Sequence, residues 1–263
     1  MAFAVVNGAR LAWQQLGEGP DLVMVHGLAA NRAFWFAQAT ALADRCRVTL
    51  FDLRGHGYSE ATDAGYSATA LGRDILGLMD ALGIARAALA AHSYGGAAAL
   101  EAAVAAPARV THLALFDARI QSLQPQMRLS DLPEISPYER AVAEASSRAY
   151  GYDWQREDQV GFRFLEAAAR LRVDRLDTGL RDPFTPFGEG RGAARAAKQW
   201  LRLLDHGSIR QELVRAGAAA EDIARLPMPA LLMYARDSRC LPSGRALRKL
   251  LEQARYLEVA GGH

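Results

Sequence analysis

The chain has 263 residues, 51% of them hydrophobic, and its 31 Lys and Arg nearly balance 29 Asp and Glu. A net charge of +2 excludes a global field for nucleic acid or an anionic membrane, and no stretch reaches the roughly 18 apolar residues that would span a bilayer. Two cysteines, Cys46 and Cys240, are too few for a disulfide framework and lack metal-ligand spacing, and Met1 to Arg10 carries no signal-peptide pattern. The expectation is one cytoplasmic domain with an insertion, and incidental or buried thiols.

Phe3 to Asn7 and Arg10 to Gln15 alternate in polarity around Asn7-Gly8, a strong hairpin signal, and predict an antiparallel pair at a sheet edge. After the turn at Gly17 to Pro20, Leu22 to Val25 is short and apolar enough for a buried strand, and it ends at His26-Gly27-Leu28. Asn31 to Leu42 predicts a helix, and Arg47 to Phe51 a strand followed by the glycine-rich loop Asp52 to Ser59. Asp52 and Arg54 there suit the tying together of loops. From Ser67 to Leu82, the spacing of Leu71, Ile75, Leu78, Met79 and Leu82 predicts an amphipathic helix with Asp74 and Asp80 on its polar side and Gly83 ending it.

Ala87 to Ala91 then breaks at His92-Ser93-Tyr94 into Gly95-Gly96, and an Ala-rich helical stretch runs to Pro107. Strand, sharp turn and helix in this order lift Ser93 off the end of a sheet and press it against a helix N-terminus, where backbone N–H groups favour developing negative charge. Val110 to Phe116, closed by Asp117, repeats the strand pattern. Alternation of strand and helix to this point implies an α/β fold with a mainly parallel central sheet and helices on both faces. From Arg119 to about His206 no buried strand is evident, and helices are expected over Pro137 to Arg148, Glu157 to Leu171 and Arg191 to Leu204. The core pattern resumes with the strand Ala230 to Tyr234, a loop carrying Asp237, a helix over Pro242 to Gln253 and a strand over Ala254 to Val259. The chain stops at His263.

The elbow at Ser93, which is GxSxG with Ala91 in place of the first Gly, the His26-Gly27 dipeptide, the DxRGxGxS loop from Asp52 to Ser59, and a late Asp and His together resemble the α/β-hydrolase superfamily. The likeness is to a serine-nucleophile, esterase- or thioesterase-like member with a helical cap. It implies hydrolase core at 1–118 and 207–263 and a cap at 119–206. It further implies Ser93 as nucleophile, His263 as base and Asp237 as the acid that orients it, with Asp117 as the alternative acid. The backbone N–H groups of Leu28 and Tyr94 would form the oxyanion hole, and His26 would brace its loop. Two features depart from the pattern. Tyr234 stands where a Gly often precedes the acid by three residues, and the chain ends on the catalytic His where relatives continue into a helix, so a truncated version of a longer protein is expected.

The chemistry implied is attack by Ser93 on a carbonyl and release of the acyl-enzyme to water, without cofactor or metal. A carboxylic ester or thioester of a small to medium acyl substrate fits first. A lactonase or a carbon–carbon bond hydrolase on the same triad is the alternative, and a non-catalytic ligand-binding protein of the same fold is the contrary class. A small-molecule acyl substrate is the expected partner, with a carrier-protein or coenzyme A thioester open, and neither nucleic acid nor membrane. Trp154, Phe162 and Trp200, with Phe164, Phe184 and Phe187, are candidate walls of the substrate pocket. Arg170, Arg172 and Arg175 read as a solvated helix face ahead of a site for a carboxylate or phosphate.

Overall fold

Asn7 and Gly8 both take left-handed backbone, at φ 46° and 76°, as a two-residue hairpin turn requires. They fold β1 (Ala2–Val6) back onto β2 (Ala9–Leu16) in antiparallel register. This is a computed structural model, and it describes residues 1–132, 134–176, 186–187 and 190–263. Beyond the hairpin come β3 (Asp21–Val25), α1 (Phe36–Leu42), β4 (Arg47–Phe51), α2 (Ala68–Ala81), β5 (Ala87–His92), α3 (Tyr94–Ala105) and β6 (Val110–Phe116). Three helices follow, α4 (Pro137–Tyr150), α5 (Val160–Val173) and α6 (Gly190–Leu204), then the short α7 (Ile209–Glu212) and α8 (Ala220–Ala224). The chain closes with β7 (Ala230–Ala235), α9 (Leu241–Leu250) and β8 (Arg255–Val259).

The strands form one eight-stranded sheet in the order β1-β2-β4-β3-β5-β6-β7-β8, antiparallel at β1–β2 and β2–β4 and parallel from there on. Successive side chains on a strand face opposite ways, and the core divides accordingly. Val23, Val25, Leu89 and Ala91 pack with α2 and α3, whereas Met24, Val48, Leu50 and Ala90 pack with Trp35 and Ala39 on the other face. The helix expected from Asn31 begins instead as a 3-10 turn, Arg32–Trp35, whose start is capped by the Asn31 side chain accepting the Ala33 N–H at 2.9 Å.

Asp74 departs from its expected place on the polar face of α2. It is fully buried, and both carboxylate oxygens receive the Arg54 guanidinium, Nη2 at 2.7 Å and Nε at 2.8 Å. A buried carboxylate is tolerated only with such a fork of donors. The pair pins the loop after β4 to α2.

A second buried carboxylate ties α7 to the segment that leads into α2. Glu212 accepts the backbone N–H groups of Gly65, Tyr66 and Ser67 at the start of α2, and the Ser208 hydroxyl. Burial raises the pKa of Glu212, but the hydrogen bonds from Ser208 and this backbone outweigh it and hold the carboxyl below its ordinary value. Among the described residues no helix is long and apolar enough to cross a membrane.

Candidate active site

β5 delivers Ser93 at φ 54° and ψ −126°, a backbone conformation outside the usual range for an L-residue. Strain of this kind costs on the order of 1–3 kcal/mol and persists only where neighbours enforce it. Here the Ser93 N–H donates to Phe116 O at 2.9 Å and Ser93 O accepts the Gly96 N–H at 2.9 Å. Close approach does the rest. A Cβ on Gly95 would lie 2.3 Å from His26 O, and one on Gly27 would lie 2.9 Å from Ser93 Cβ. Gly95 and Gly27 therefore let the loop after β3 press against Ser93.

His263 reaches this point from the segment after β8. Its Nε2 lies 2.9 Å from Ser93 Oγ and its Nδ1 3.5 Å from Asp117 Oδ2. Asp117 is held at φ 50° immediately after β6, where its N–H donates to Met233 O and its Oδ1 accepts the Ala235 N–H at 3.1 Å. One carboxylate oxygen is thus fixed by β7, and the other faces the imidazole. Asp237, the acid expected from the sequence, is exposed, and its backbone N–H donates to Gly261 O at 3.1 Å. The carboxylate brought to His263 is Asp117, because β6 ends beside the elbow strand while Asp237 lies beyond the end of β7, one strand further out.

The imidazole has a third neighbour that the sequence did not single out. Cys240 Sγ, at the start of α9, lies 3.6 Å from His263 Nδ1. Packing around the ring works against the cation, but Cys240 and Asp117 outweigh it and raise the His263 pKa above its ordinary value. An imidazole with its proton on Nδ1, toward the carboxylate, presents the Nε2 lone pair to the Ser93 hydroxyl.

Tyr94 is the first residue of α3, so its N–H is among those with no intrahelical acceptor. Leu28, half-buried, follows Gly27 on the facing loop. His26 beneath them is fully buried. Its Nδ1 donates to Gly27 O at 2.7 Å and its Nε2 accepts the Leu53 N–H at 3.0 Å. Burial, with His56 nearby, pushes its pKa down to about 3, so the ring is neutral and serves as a brace between two loops. Asp52 has a similar part, accepting the backbone N–H groups of Arg32 and Tyr58 and the Arg32 guanidinium.

The candidate pocket walls separate into two groups. Trp200 and Phe162 belong to an apolar cluster built on α5 and α6 that also takes in Leu28, Ala29 and Tyr94 beside the elbow. Trp154 does not join them. It is buried beneath α4, donates its Nε1–H to Ser146 Oγ at 3.1 Å and stacks on Tyr152, so it belongs to the interior of the helical insertion. Helical spacing alone does not say which side an aromatic faces. Phe184 lies outside the described residues. Arg170 is engaged by the buried Glu166, which also holds Arg163 and Arg210. Among the described residues no group of three or more His, Cys, Asp or Glu is gathered to hold a metal ion.

Residues 20–263 match the family model for the alpha/beta hydrolase fold. An uncharacterized protein of Mycobacterium bovis is 33% identical over 135 residues, 51% of this chain and 40% of that protein. The dihydrolipoyllysine-residue acetyltransferase component of the acetoin cleaving system of Pseudomonas putida is 42% identical over 115 residues, 43% of this chain and 31% of that protein. The match therefore spans less than half the length of either curated relative. Among solved structures, the enol-lactonase of Burkholderia xenovorans LB400 is 25% identical, covers 98% of this chain and 91% of its own, and superposes with a TM-score of 0.63. With the family match running from before β3 through the elbow to His263, on a sheet of this order, the chain belongs to the alpha/beta hydrolase fold family.

Proposed function

We propose that the chain is a serine hydrolase that cleaves a carboxylic ester or thioester of a small to medium acyl substrate through an acyl-enzyme on Ser93. The observation that carries this reading is the 2.9 Å contact between Ser93 Oγ and His263 Nε2, at a strained elbow and with a carboxylate behind the imidazole. Ser93 Oγ attacks the carbonyl carbon while Nε2 takes its proton. Asp117 stabilises the resulting imidazolium, and the N–H groups of Leu28 and Tyr94 receive the oxyanion, each donor being worth about 2.7–4 kcal/mol in such sites. Collapse of the intermediate expels the alcohol or thiol, which takes the proton from Nε2, and water then repeats the sequence on the acyl-enzyme. The helices of 119–206 act as the cap, with Phe162 and Trp200 bordering the acyl site.

A lactone is the second reading, favoured by the likeness to the enol-lactonase over nearly the whole chain. A lactone is an internal ester, so the same steps apply and only the shape of the site differs.

Two measurements test the proposal. A fluorophosphonate probe is expected to modify the chain at Ser93, located by mass spectrometry of the labelled peptide. Esters, acyl thioesters and lactones of graded length then rank the acyl site by kcat/KM. A folded chain that is neither labelled nor active on any of these would overturn the reading.

The pH dependence of labelling follows from the direction of the His263 shift. Only the unprotonated imidazole accepts the serine proton, so the rate rises as pH passes the His263 pKa, and the raised value puts that limb above the ordinary histidine value of about 6.5. Cys240→Ala is expected to move the limb downward while leaving the plateau rate within about threefold. A limb at or below the ordinary value in the wild type would count against the described contacts.

A further inference from the structure

His92, the last residue of β5, has no part in the proposed proton transfers, yet its ring lies against the one that does. The His92 and His263 rings stack with centroids 4.9 Å apart and an interplanar angle of 29°. His92 also stacks on Phe34, at 4.8 Å and 24°. Phe34 stands in the 3-10 turn that follows the Leu28 loop. The three rings therefore join the loop of the proposed oxyanion hole, the elbow and the segment carrying the base.

This stack answers a need that the carboxylate leaves open. The contact of His263 with Asp117 is 3.5 Å, longer than the 2.7–2.9 Å typical of a tight charge-assisted bond. Contacts at its two nitrogens, to Ser93, Asp117 and Cys240, leave the ring free to tilt about the line that joins them, whereas a flat neighbour fixes the plane of the ring. Burial pushes the His92 pKa well down, and the positive charge that His263 can carry acts in the same direction. An uncharged His92 ring offers its face to the imidazolium that forms on His263 without like-charge repulsion. Space for the ring comes from Gly27, where a Cβ would lie 3.3 Å from His92 Nδ1.

We propose that His92 is a positioning residue: its ring, backed by Phe34, holds the His263 imidazole in the plane from which Nε2 reaches Ser93. The inference rests on the serine-hydrolase reading for its catalytic consequence, but the stack itself can be observed without turnover.

The test compares wild type with His92→Phe, His92→Leu and Phe34→Ala, using the most rapidly cleaved ester and the NMR signals of the His263 ring. His92→Leu keeps apolar volume but removes the flat face. Its kcat is expected to fall by about tenfold to a hundredfold, as for modest misplacement of a reacting group, with KM within about twofold. The His263 ring protons should also lose the upfield ring-current shift that the stack predicts for wild type. His92→Phe should retain that shift and stay within about threefold of wild-type kcat, a rescue that only a stacking role explains. Phe34→Ala, at a half-exposed position, should give an intermediate loss and keeps the test available if a change at His92 impairs folding. Wild-type kcat and an unchanged ring shift in His92→Leu would overturn the proposal. So would a His92→Phe variant as impaired as His92→Leu. If Ser93→Ala turned over like wild type, the serine-hydrolase reading would fall, and the ring shifts would still decide whether His92 positions His263.

Discussion

Ser93→Ala is expected to lower kcat by about 10⁵- to 10⁶-fold, the scale on which removing the nucleophile of an interdependent triad acts, while substrate binding changes little. The loss is large because in the proposed mechanism the hydroxyl, the imidazole and the carboxylate act as one unit, so deleting the first leaves the others nothing to activate. The measurement is single-turnover acyl-enzyme formation followed by mass spectrometry, which also reports whether another residue is acylated instead. Ser93→Gly adds a stability readout. The native φ of 54° strains a serine but not a glycine, so this variant should be inactive yet more stable by about 1 kcal/mol, a rise in Tm of about 2–4 °C for a chain of this size. Equal activity of wild type and Ser93→Ala would remove the proposed nucleophile. An unchanged or lower Tm for Ser93→Gly would mean that the elbow stores no strain.

For the orienting acid, Asp117→Asn is expected to reduce kcat by about 10⁴-fold, as loss of the correct imidazole tautomer does in such triads, and Asp237→Asn to stay within about threefold. The contrast follows from geometry. Asp117 faces His263 Nδ1 from a backbone anchored to both Met233 and Ala235, whereas Asp237 is exposed and only its backbone is engaged. Asn tolerates positive φ well, so Asp117→Asn should fold and isolate the charge. Its amide also offers a donor where the imidazole needs an acceptor, which favours the wrong tautomer. Steady-state kinetics on both variants decide the matter, and the reverse ranking would return the role to Asp237.

The site was partly legible because the elbow is a local device. Ala91, Ser93, Gly95 and Gly96 are neighbours in sequence, and the need for small residues around a sharp turn can be read from them directly. The resemblance put Asp237 ahead of Asp117 as the acid, but no local feature of the sequence ranks the two. Both follow the C-terminal end of a parallel strand, and β6 and β7 are adjacent, so the sequence assigns them equivalent addresses. What separates them is which carboxylate lies on the side of the imidazole, and that depends on where the chain after β8 crosses the sheet. Cys240 and His92 were passed over for a related reason. A lone thiol before a helix, or a histidine beside a serine, carries no sign of what packs against it until distant segments converge. Asp74 shows the same limit in the core, since helical periodicity assigned it to solvent and Arg54, arriving from the loop after β4, made its burial tolerable.

By itself, then, the sequence determined the alternation of strands and helices, the hairpin at Asn7-Gly8, the helical insertion between β6 and β7, and the placing of Ser93 at a strand-to-helix turn. Each of these is written in apolar period, turn chemistry and residue size over a few consecutive positions. The tertiary structure alone decided that Asp117 faces His263, that Trp200 and Phe162 share a cluster with Leu28 and Tyr94, and that Phe34, His92 and His263 stack. Those are contacts between segments far apart in the chain, and their geometry is set by how the fold brings those segments together.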